Sequence, residues 1–405
     1  MPFRRIIFWL HLVCGVIAGL VIAIMSFTGA ALAFEKQILA WAGHDARHVA
    51  PPSPSAPRLS LDDLLARART YAPDAQPSSV TISADPAAAV AISFGRESVV
   101  YANPYSGELR TPSTTRARDF LRTMENWHRW LALSDDHRAT GRAVTGVCNA
   151  TFLVLAVTGL YLWWPRTWSR RALRAIVLFD FRARGRARDW NWHNAAGSWC
   201  ALVLIVLTAS GLVMSYRWAN NLVYRVAGET PPAARGPGGF GDSAVAVPAP
   251  PPGARPLGYA ALLASAQKEV PAWDTISFRL GGPIRGTRSD RPAGTPPPGR
   301  QRRGAGERDH AVAAVSVSVH PRHGWPLFAA TTLALDPFTG AVLQRENFSA
   351  LGAGRRARLW LRFLHTGEAL GVAGQLVAAL ASLGGCVLVY TGLALAWRRF
   401  VSRAS

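Results

Sequence analysis

The sequence has few cysteines and few charged residues for its length. Only 4 of its 405 residues are cysteine and 17% are charged, whereas 49% are hydrophobic. The cysteines form no C-x-x-C pair and all lie inside apolar runs, so we expect neither a disulfide framework nor a thiolate metal cluster. The scarcity of charge predicts membrane spans instead of two or three soluble domains.

Four apolar runs are almost free of charge and long enough to span a bilayer. They cover residues 6–34, 144–164, 195–216 and 371–397. Each reaches the ~20 residues that a helix needs to cross ~30 Å of hydrocarbon. The first run contains the A-x-A pattern of a signal-peptide cleavage site. It far exceeds the ~7–15 residues of a signal-peptide core, so we expect it to remain as a span.

Basic residues predict the orientation of these spans. Arg4 and Arg5 precede the first run, eight arginines lie in the loop 165–190, and three more follow the fourth run. By the positive-inside rule these segments and both termini face the cytoplasm, and the two long connections face outward. Much of the net charge of +21 is then explained by topology. We expect no nucleic-acid partner, because no soluble module carries a basic patch interleaved with aromatic residues.

Each long connection contains a predicted small α+β module. In 58–112 and again in 258–346, a stretch with helical spacing precedes short alternating runs typical of strands. The turns NPYSGEL (103–109) and DPFTGAV (336–342) correspond almost residue for residue. The predicted fold class is therefore an α-helical four-span bundle with two small α+β modules.

Two segments rich in proline, glycine and arginine are predicted to be flexible or disordered. They are the linker 231–257 and an insertion at 281–310 within the second module. The linker contains GPGGFG (236–241), which matches the dinucleotide fingerprint but lacks the strand and helix that this motif requires. Two amphipathic helices at the outer interface are predicted at 117–133 and 356–368.

Four histidines recur at matched places in the two halves of the sequence. In the first and third runs a histidine is followed four residues later by glycine, and 18 residues later by the glycine of a Thr-Gly or Ser-Gly pair. The second and fourth runs end in Thr-Gly-Leu, and each is preceded by an amphipathic stretch with its own histidine. The four residues are His11, His193, His128 and His365.

The repetition favours a function for these histidines over simple anchoring at the membrane interface. A zinc site needs three or four ligands at one depth, and no such cluster is present. Paired imidazoles on two helices suit the two axial positions of a haem. We therefore predict an inner haem held by His11 and His193 and an outer haem held by His128 and His365.

Further residues are assigned to these two sites. Gly15 and Gly197 share a helix face with their histidines and would let the flat macrocycle approach. Arg129, Arg142 and Arg362 are candidate partners of the haem propionates, with surface solvation as the alternative for each. His137, in a polar turn nearer to the second run, is the rival to His128.

The combined features resemble the PepSY-associated transmembrane family, also called iron-regulated or iron-uptake membrane proteins. The stretches that carry the resemblance are HLVCGVIAGLVIAIMSFTGA, WHRWLALSDDHRATGRAVTG, TGLYLWWPR, NWHNAAGSWCALVLIVLTASGL, FLHTGEALGVAGQ and TGLALAWRR, with the two turn modules. The resemblance implies a bacterial inner-membrane protein with two periplasmic PepSY-like modules. Some members of the family are haem-containing reductases of ferric siderophores, whereas others have no assigned activity.

The resemblance implies an oxidoreductase with two b-type haems that reduces a ferric siderophore or another ferric chelate in the periplasm. The inner loop is too short to hold the flavoprotein domain that some relatives carry. Electrons are then expected from a separate flavoprotein reductase or from membrane quinol.

Two alternatives remain at this stage. One is a permease for an iron chelate or its product, with Gly384 and Gly385 marking a broken helix. The other is a membrane-anchored binding or regulatory module whose histidines are structural.

Overall fold

A computed structural model of the chain describes residues 2–53, 55–95, 98–165, 168–232, 253–280 and 313–400, together with 245, 247, 248 and 250. Most of the linker predicted at 231–257, with the fingerprint at 236–241, and the whole insertion at 281–310 lie outside the described residues. The helices within them are α1 (Pro2–Leu32), α2 (Glu35–Ala42), α3 (His44–Arg47), α4 (Leu61–Tyr71), α5 (Thr115–Trp130), α6 (Arg138–Trp163), α7 (Arg170–Val177), α8 (Gly185–Ser215), α9 (Arg217–Val226), α10 (Tyr259–Glu269), α11 (Ala353–His365) and α12 (Gly371–Phe400). The strands are β1 (Ser79–Ser83), β2 (Val90–Phe94), β3 (Ser98–Ala102), β4 (Leu109–Arg110), β5 (Trp273–Arg279), β6 (Val315–Pro321), β7 (Thr331–Leu335) and β8 (Val342–Glu346).

Four helices, α1, α6, α8 and α12, are long and apolar enough to cross a membrane. They cover the four apolar runs except for one or two residues at the ends of the first three, so the chain is a membrane protein with the expected spans. α8 begins ten residues before the apolar run that predicted it, at Gly185 instead of 195. The apolar run marks the part of the helix that can face lipid, and the helix continues beyond it through polar residues that are buried or ion-paired.

α12 runs without a break through Gly384 and Gly385, so the broken helix expected of a permease is wrong. A Cβ at Gly384 would collide with the Cys200 side chain of α8, and one at Gly385 would lie 2.8 Å from Ser26 Oγ of α1. These glycines therefore let three spans pack closely, as small residues do between membrane helices. All four cysteines are free and lie within the spanning helices.

The strands of both modules form one antiparallel sheet in the order β4-β3-β2-β1-β5-β6-β7-β8. The sequence predicts two separate modules, but β1 and β5 pair directly, with Thr81 opposite Ser277 and their hydroxyl oxygens 2.8 Å apart. Alternate strand residues such as Ile92 and Phe278 pack under α4 and α10 in one apolar core. Asp62 of α4 also accepts hydrogen bonds from the first backbone N–H groups of α10. The two modules are therefore one structural unit.

The chain is built from two similar halves, the first half being residues 2–165 and the second half residues 168–400. Each half supplies a span, a helix with four strands, a short helix ending near a histidine, and a second span. The junction of the halves in the sheet lies at the β1–β5 pair. The end of the helix bundle that carries this sheet is called the sheet end. The other, the arginine end, carries the start of α1, α7, the start of α8 and the end of α12.

Candidate functional site

The structure brings His11 and His193 together at the arginine end of the bundle. Their ring centroids lie 6.4 Å apart and the ring planes are nearly perpendicular, at 85°. His11 comes from α1 in the first half and His193 from α8 in the second half. The two imidazoles thus face each other across the junction of the halves.

His128 and His365 form a second pair at the sheet end. Their ring centroids are also 6.4 Å apart, with an angle of 57° between the ring planes. These histidines lie near the ends of α5 and α11, and again each half supplies one. The rival histidine, His137, is exposed in a 3-10 turn before α6.

A hydroxyl group holds the Nδ1 atom of every one of these histidines. His11 bonds Thr158 at 2.9 Å and His193 bonds Thr391 at 3.0 Å. The two outer histidines also bond a hydroxyl group, and each has a backbone carbonyl as a further partner. His128 contacts the Thr28 hydroxyl and the Met25 carbonyl oxygen. His365 contacts the Ser210 hydroxyl and the Leu207 carbonyl oxygen.

These hydrogen bonds select one tautomer of each ring. The Thr158 hydroxyl already donates to the Val154 carbonyl of its own helix, and the Thr391 hydroxyl donates to the Val387 carbonyl. Each oxygen can then only accept, so Nδ1 of the histidine carries the proton and donates it. Nε2 is left unprotonated on the far side of the ring, with a lone pair available to a metal.

Burial keeps the outer histidines neutral. The loss of water around the ring, aided by the neighbouring His365, lowers the pKa of His128 to about 4. Burial likewise lowers the pKa of His365. Neutral imidazole is the form that binds metals, so both rings can coordinate a metal at pH 7.

A glycine beside each ring makes room for it. A Cβ on Gly159 would lie 3.2 Å from His11 Cε1, and one on Gly211 would lie 3.1 Å from His365 Cε1. The corresponding distances are 3.1 Å from Gly29 to His128 and 3.4 Å from Gly392 to His193. The Thr-Gly and Ser-Gly pairs of the sequence therefore supply both the hydrogen bond and the space for one histidine.

A cavity of about 610 Å³ opens beside His11 and His193, the inner pair at the arginine end. It is within the ~300–1,000 Å³ range of ligand and cofactor sites. Gly15 and Gly197 line it, and the Cβ atoms they lack would be in ordinary contact with Leu155 at 3.9 Å and Leu388 at 3.7 Å. Four arginines also line this cavity: Arg4, Arg5, Arg186 and Arg399. The result is an apolar slot with a cationic rim.

The arginines predicted as propionate partners are not enclosed in the sites. Arg129 forms an ion pair with Glu125 at 2.6 Å, the Arg362 guanidinium lies over the Phe363 ring, and Arg142 is exposed, as are the other two. Sequence reasoning assigned the arginines that line the inner cavity to topology alone. Arg186 and His193 are seven residues apart on α8, a spacing that puts two side chains on nearly the same face of a helix. This spacing could have predicted that the two residues share a site.

A buried carboxylate ties two spans together beside the inner pair. The Asp189 side chain is fully buried and bonds Arg188 at 2.7 Å and Arg398 of α12 at 3.1 Å. Asp189 lies one turn before His193 on α8, and Arg398 lies two turns after Thr391 on α12. This ion pair therefore fixes the position of His193 on α8 relative to Thr391 on α12.

The donor set fits a haem better than a bare metal ion. Among the described residues, no group of three or more His, Cys, Asp or Glu side chains surrounds a common point, as a structural zinc site requires. Half of the 6.4 Å separation is about 3.2 Å, close to a metal–nitrogen distance of ~2 Å plus the ~1.1 Å from that nitrogen to the ring centre. Two facing imidazoles could hold the iron of a haem, and the cationic rim of the slot would suit the carboxylates of that haem.

The fold and the paired histidines define a four-span membrane protein with two repeat-related histidine sites. The family model described as the PepSY-associated TM region matches residues 8–399, nearly the whole chain. The chain therefore belongs to this family. A search of the curated proteins found no match.

Proposed function

We propose that the chain is a haem-binding oxidoreductase of the bacterial inner membrane, with both termini in the cytoplasm. It would carry single electrons from a donor at the arginine end to a ferric chelate, such as a siderophore, at the sheet end. The observation that carries this proposal is the recurrence of one opposed histidine pair, with 6.4 Å between ring centroids, at each end of the bundle.

The chain's own residues would have three tasks. His11 with His193 and His128 with His365 would bind the iron of two b-type haems, and bound haem supplies one-electron exchange between ferric and ferrous iron. The four hydroxyl groups hold the protonated Nδ1 atoms and so aim the lone pairs of Nε2. The cavity arginines would neutralise carboxylates at the cytoplasmic rim.

The location of the two pairs supports a path across the membrane. His11 and Thr28, the partner of His128, are 17 residues apart on α1, which is about 25 Å along a helix that rises ~1.5 Å per residue. With α1 spanning the membrane, the two sites would lie near opposite faces of a ~30 Å hydrocarbon layer. A donor in the cytoplasm or a membrane quinol would meet the arginine end, and a periplasmic ferric chelate would meet the sheet end.

An absorption spectrum of the purified full-length protein tests the proposal. We expect a reduced spectrum of the low-spin type and two b-type haems per chain by pyridine haemochrome analysis, and one in His193→Ala and in His365→Ala. His137→Ala is the matched control and should keep both. The dithionite-reduced protein should be reoxidised by ferric citrate under anaerobic conditions, with one ferrous ion trapped per electron. A folded protein without haem would contradict the proposal and favour a permease or a binding module.

A further inference from the structure

Arg358 lies on α11 two turns before His365. Seven residues turn a helix through about 700°, which is 20° short of two full turns, so the two side chains project from nearly the same face. They are separated by about 10 Å along the helix axis. Arg358 therefore lies two turns from His365 on the same face of α11, where α11 packs on α9, and its charge acts on His365.

The Arg358 guanidinium has unused hydrogen-bonding capacity. Its Nε donates to Asn220 Oδ1 of α9 at 2.8 Å, which fixes the plane of the group. Its Nη1 is buried and has no hydrogen-bond partner in the part of the chain that the structure describes. Buried donors on charged groups are costly when they are unpaired, so such an atom indicates a missing acceptor.

The surroundings of Arg358 call for an anion. Tyr224 of α9 and the cationic Arg362 of α11 act electrostatically on Arg358, and Arg358 acts on His365. The Glu229 carboxylate lies beside Gly354, one turn before Arg358, but no hydrogen bond joins it to Arg358 Nη1 among the described residues. The nearby Arg355 is paired with Glu346 at 2.8 Å, which leaves that carboxylate engaged. A planar guanidinium with its Nε already held presents Nη1 and Nη2 together, a geometry that matches the two oxygens of a carboxylate.

We propose that Arg358 is a carboxylate-binding residue of the outer site. This inference rests on the proposed function, because two carboxylates are expected at this place: a propionate of the outer haem and an acidic group of the ferric chelate. Arg129 and Arg362 are less suited to the role. The first is paired with Glu125, and both are exposed to competing water.

The test uses the full-length protein purified with its haem and compares Arg358→Gln with Arg356→Gln. Arg356 is exposed on the same helix, so its variant loses the same charge without touching the site. Two measurements are made on each variant. One is a potentiometric titration of the outer haem without chelate. The other is the binding of radiolabelled ferric citrate and of neutral ferric tris-acetohydroxamate by equilibrium dialysis.

The two sources of the carboxylate give different results. If a propionate binds Arg358, Arg358→Gln loses the outer haem more readily without any chelate, and the midpoint potential of the haem that remains is lower than in Arg356→Gln. If the chelate supplies the carboxylate, the outer haem is retained as in the wild type, and the Kd of ferric citrate rises about tenfold or more while that of the hydroxamate complex does not. Both results support the proposal. Equal behaviour of Arg358→Gln and Arg356→Gln in both measurements would overturn it.

Two further variants keep the test decisive. Asn220→Ala removes the contact to Nε but keeps the guanidinium. If Asn220→Ala reproduces all effects of Arg358→Gln, then Arg358 acts by joining α11 to α9, and this result would also overturn the proposal. If Arg358→Gln fails to accumulate, Arg358→Lys replaces it, because lysine keeps the charge but cannot bind both oxygens through parallel N–H groups. A haem-free wild-type protein contradicts the proposed function alone, and ferric citrate binding then decides the role of Arg358.

Discussion

Thr158 accepts a hydrogen bond from His11 Nδ1 at 2.9 Å, and both residues belong to the first half of the chain. The other three histidines likewise take their hydroxyl partner from their own half. The rings that face each other come from opposite halves. Each half thus orients its own histidines, and a complete site exists only where the halves meet.

Removal of one hydroxyl should weaken haem binding at one site. In Thr158→Val the side chain keeps its size but no longer accepts from His11, so the ring loses its orientation and preferred tautomer. We expect haem affinity at the inner site to fall about 10- to 100-fold, as for other residues that orient a metal ligand. Titration of the apoprotein with haem measures it. Thr158→Ser should bind normally.

Thr151→Val is the matched control for that change. Thr151 lies on the same helix, and among the described residues its hydroxyl bonds the Val147 carbonyl one turn back and no histidine. A haem affinity of Thr158→Val equal to that of Thr151→Val would contradict the role assigned to the hydroxyl.

Gly15→Ala should separate haem binding from folding. The added methyl meets only Leu155 at 3.9 Å, an ordinary contact, so the thermal stability of the apoprotein should stay the same or rise slightly. The methyl would project into the cavity beside His11 and obstruct a flat ligand. We expect the haem content to fall from two per chain towards one, measured by pyridine haemochrome analysis. Unchanged occupancy would mean that the ligand does not approach α1 at this glycine.

Gly211→Ala should act differently, because the methyl would lie 3.1 Å from both the His365 ring and the Asn149 side chain. Either the ring or α6 has to move. We expect loss of the outer haem together with a lower unfolding temperature. A normal unfolding temperature with normal haem content would contradict the close packing described at this position.

Asp189→Asn should loosen the arginine end of the bundle. The change removes the buried carboxylate between Arg188 and Arg398. Both arginines are more than a third exposed and can regain water, so we expect a loss of about 2 kcal/mol in unfolding free energy, within the range for hydrogen bonds to charged groups. Asp136→Asn, at an exposed aspartate, is the control. Equal unfolding temperatures of the two variants in detergent would contradict the prediction.

A disulfide between Thr81→Cys and Ser277→Cys tests the joined sheet. Directly opposed residues of antiparallel strands have Cα atoms about 4.5–5.5 Å apart, within the range that disulfides span. In the proposed orientation both positions face the oxidising periplasm, so the bond should form during expression, and peptide mapping by mass spectrometry detects it. Thr81→Cys with Ser318→Cys is the control, because Ser318 pairs with Ser277 and lies one strand further away, at about 10 Å. Cross-linking of both pairs alike would contradict the strand order.

The spans and the histidine pairs were predictable because their signals are local or repeated. Apolar length marks a membrane helix wherever it occurs, and the spacing of His11 to Gly29 recurs from His193 to Gly211. The same repeats contain the Ser-Gly and Thr-Gly pairs. The sequence does not show which histidine each hydroxyl contacts, because the two residues lie on different helices.

The joined sheet and the role of Arg358 were not predictable from the sequence. β1 and β5 are alternating runs that suit any neighbour, and the choice of partner depends on how the spans bring the two halves together. Arg358 is one of several arginines on an amphipathic helix, and only the packing of α9 against α11 distinguishes it from Arg356.

The β1–β5 pair also imposes an order on biogenesis. β1 ends at Ser83 and β5 begins at Trp273, so about 190 residues and two membrane helices are synthesised between them. At ~5–20 residues per second, the open edge of β1 waits about 10–40 s for its partner, a time in which an unprotected strand can pair with another chain. The strand closes only after the third span has been inserted with the right orientation. A chain in which β1 and β5 do not meet therefore exposes an unpaired β edge, which can pair with another chain.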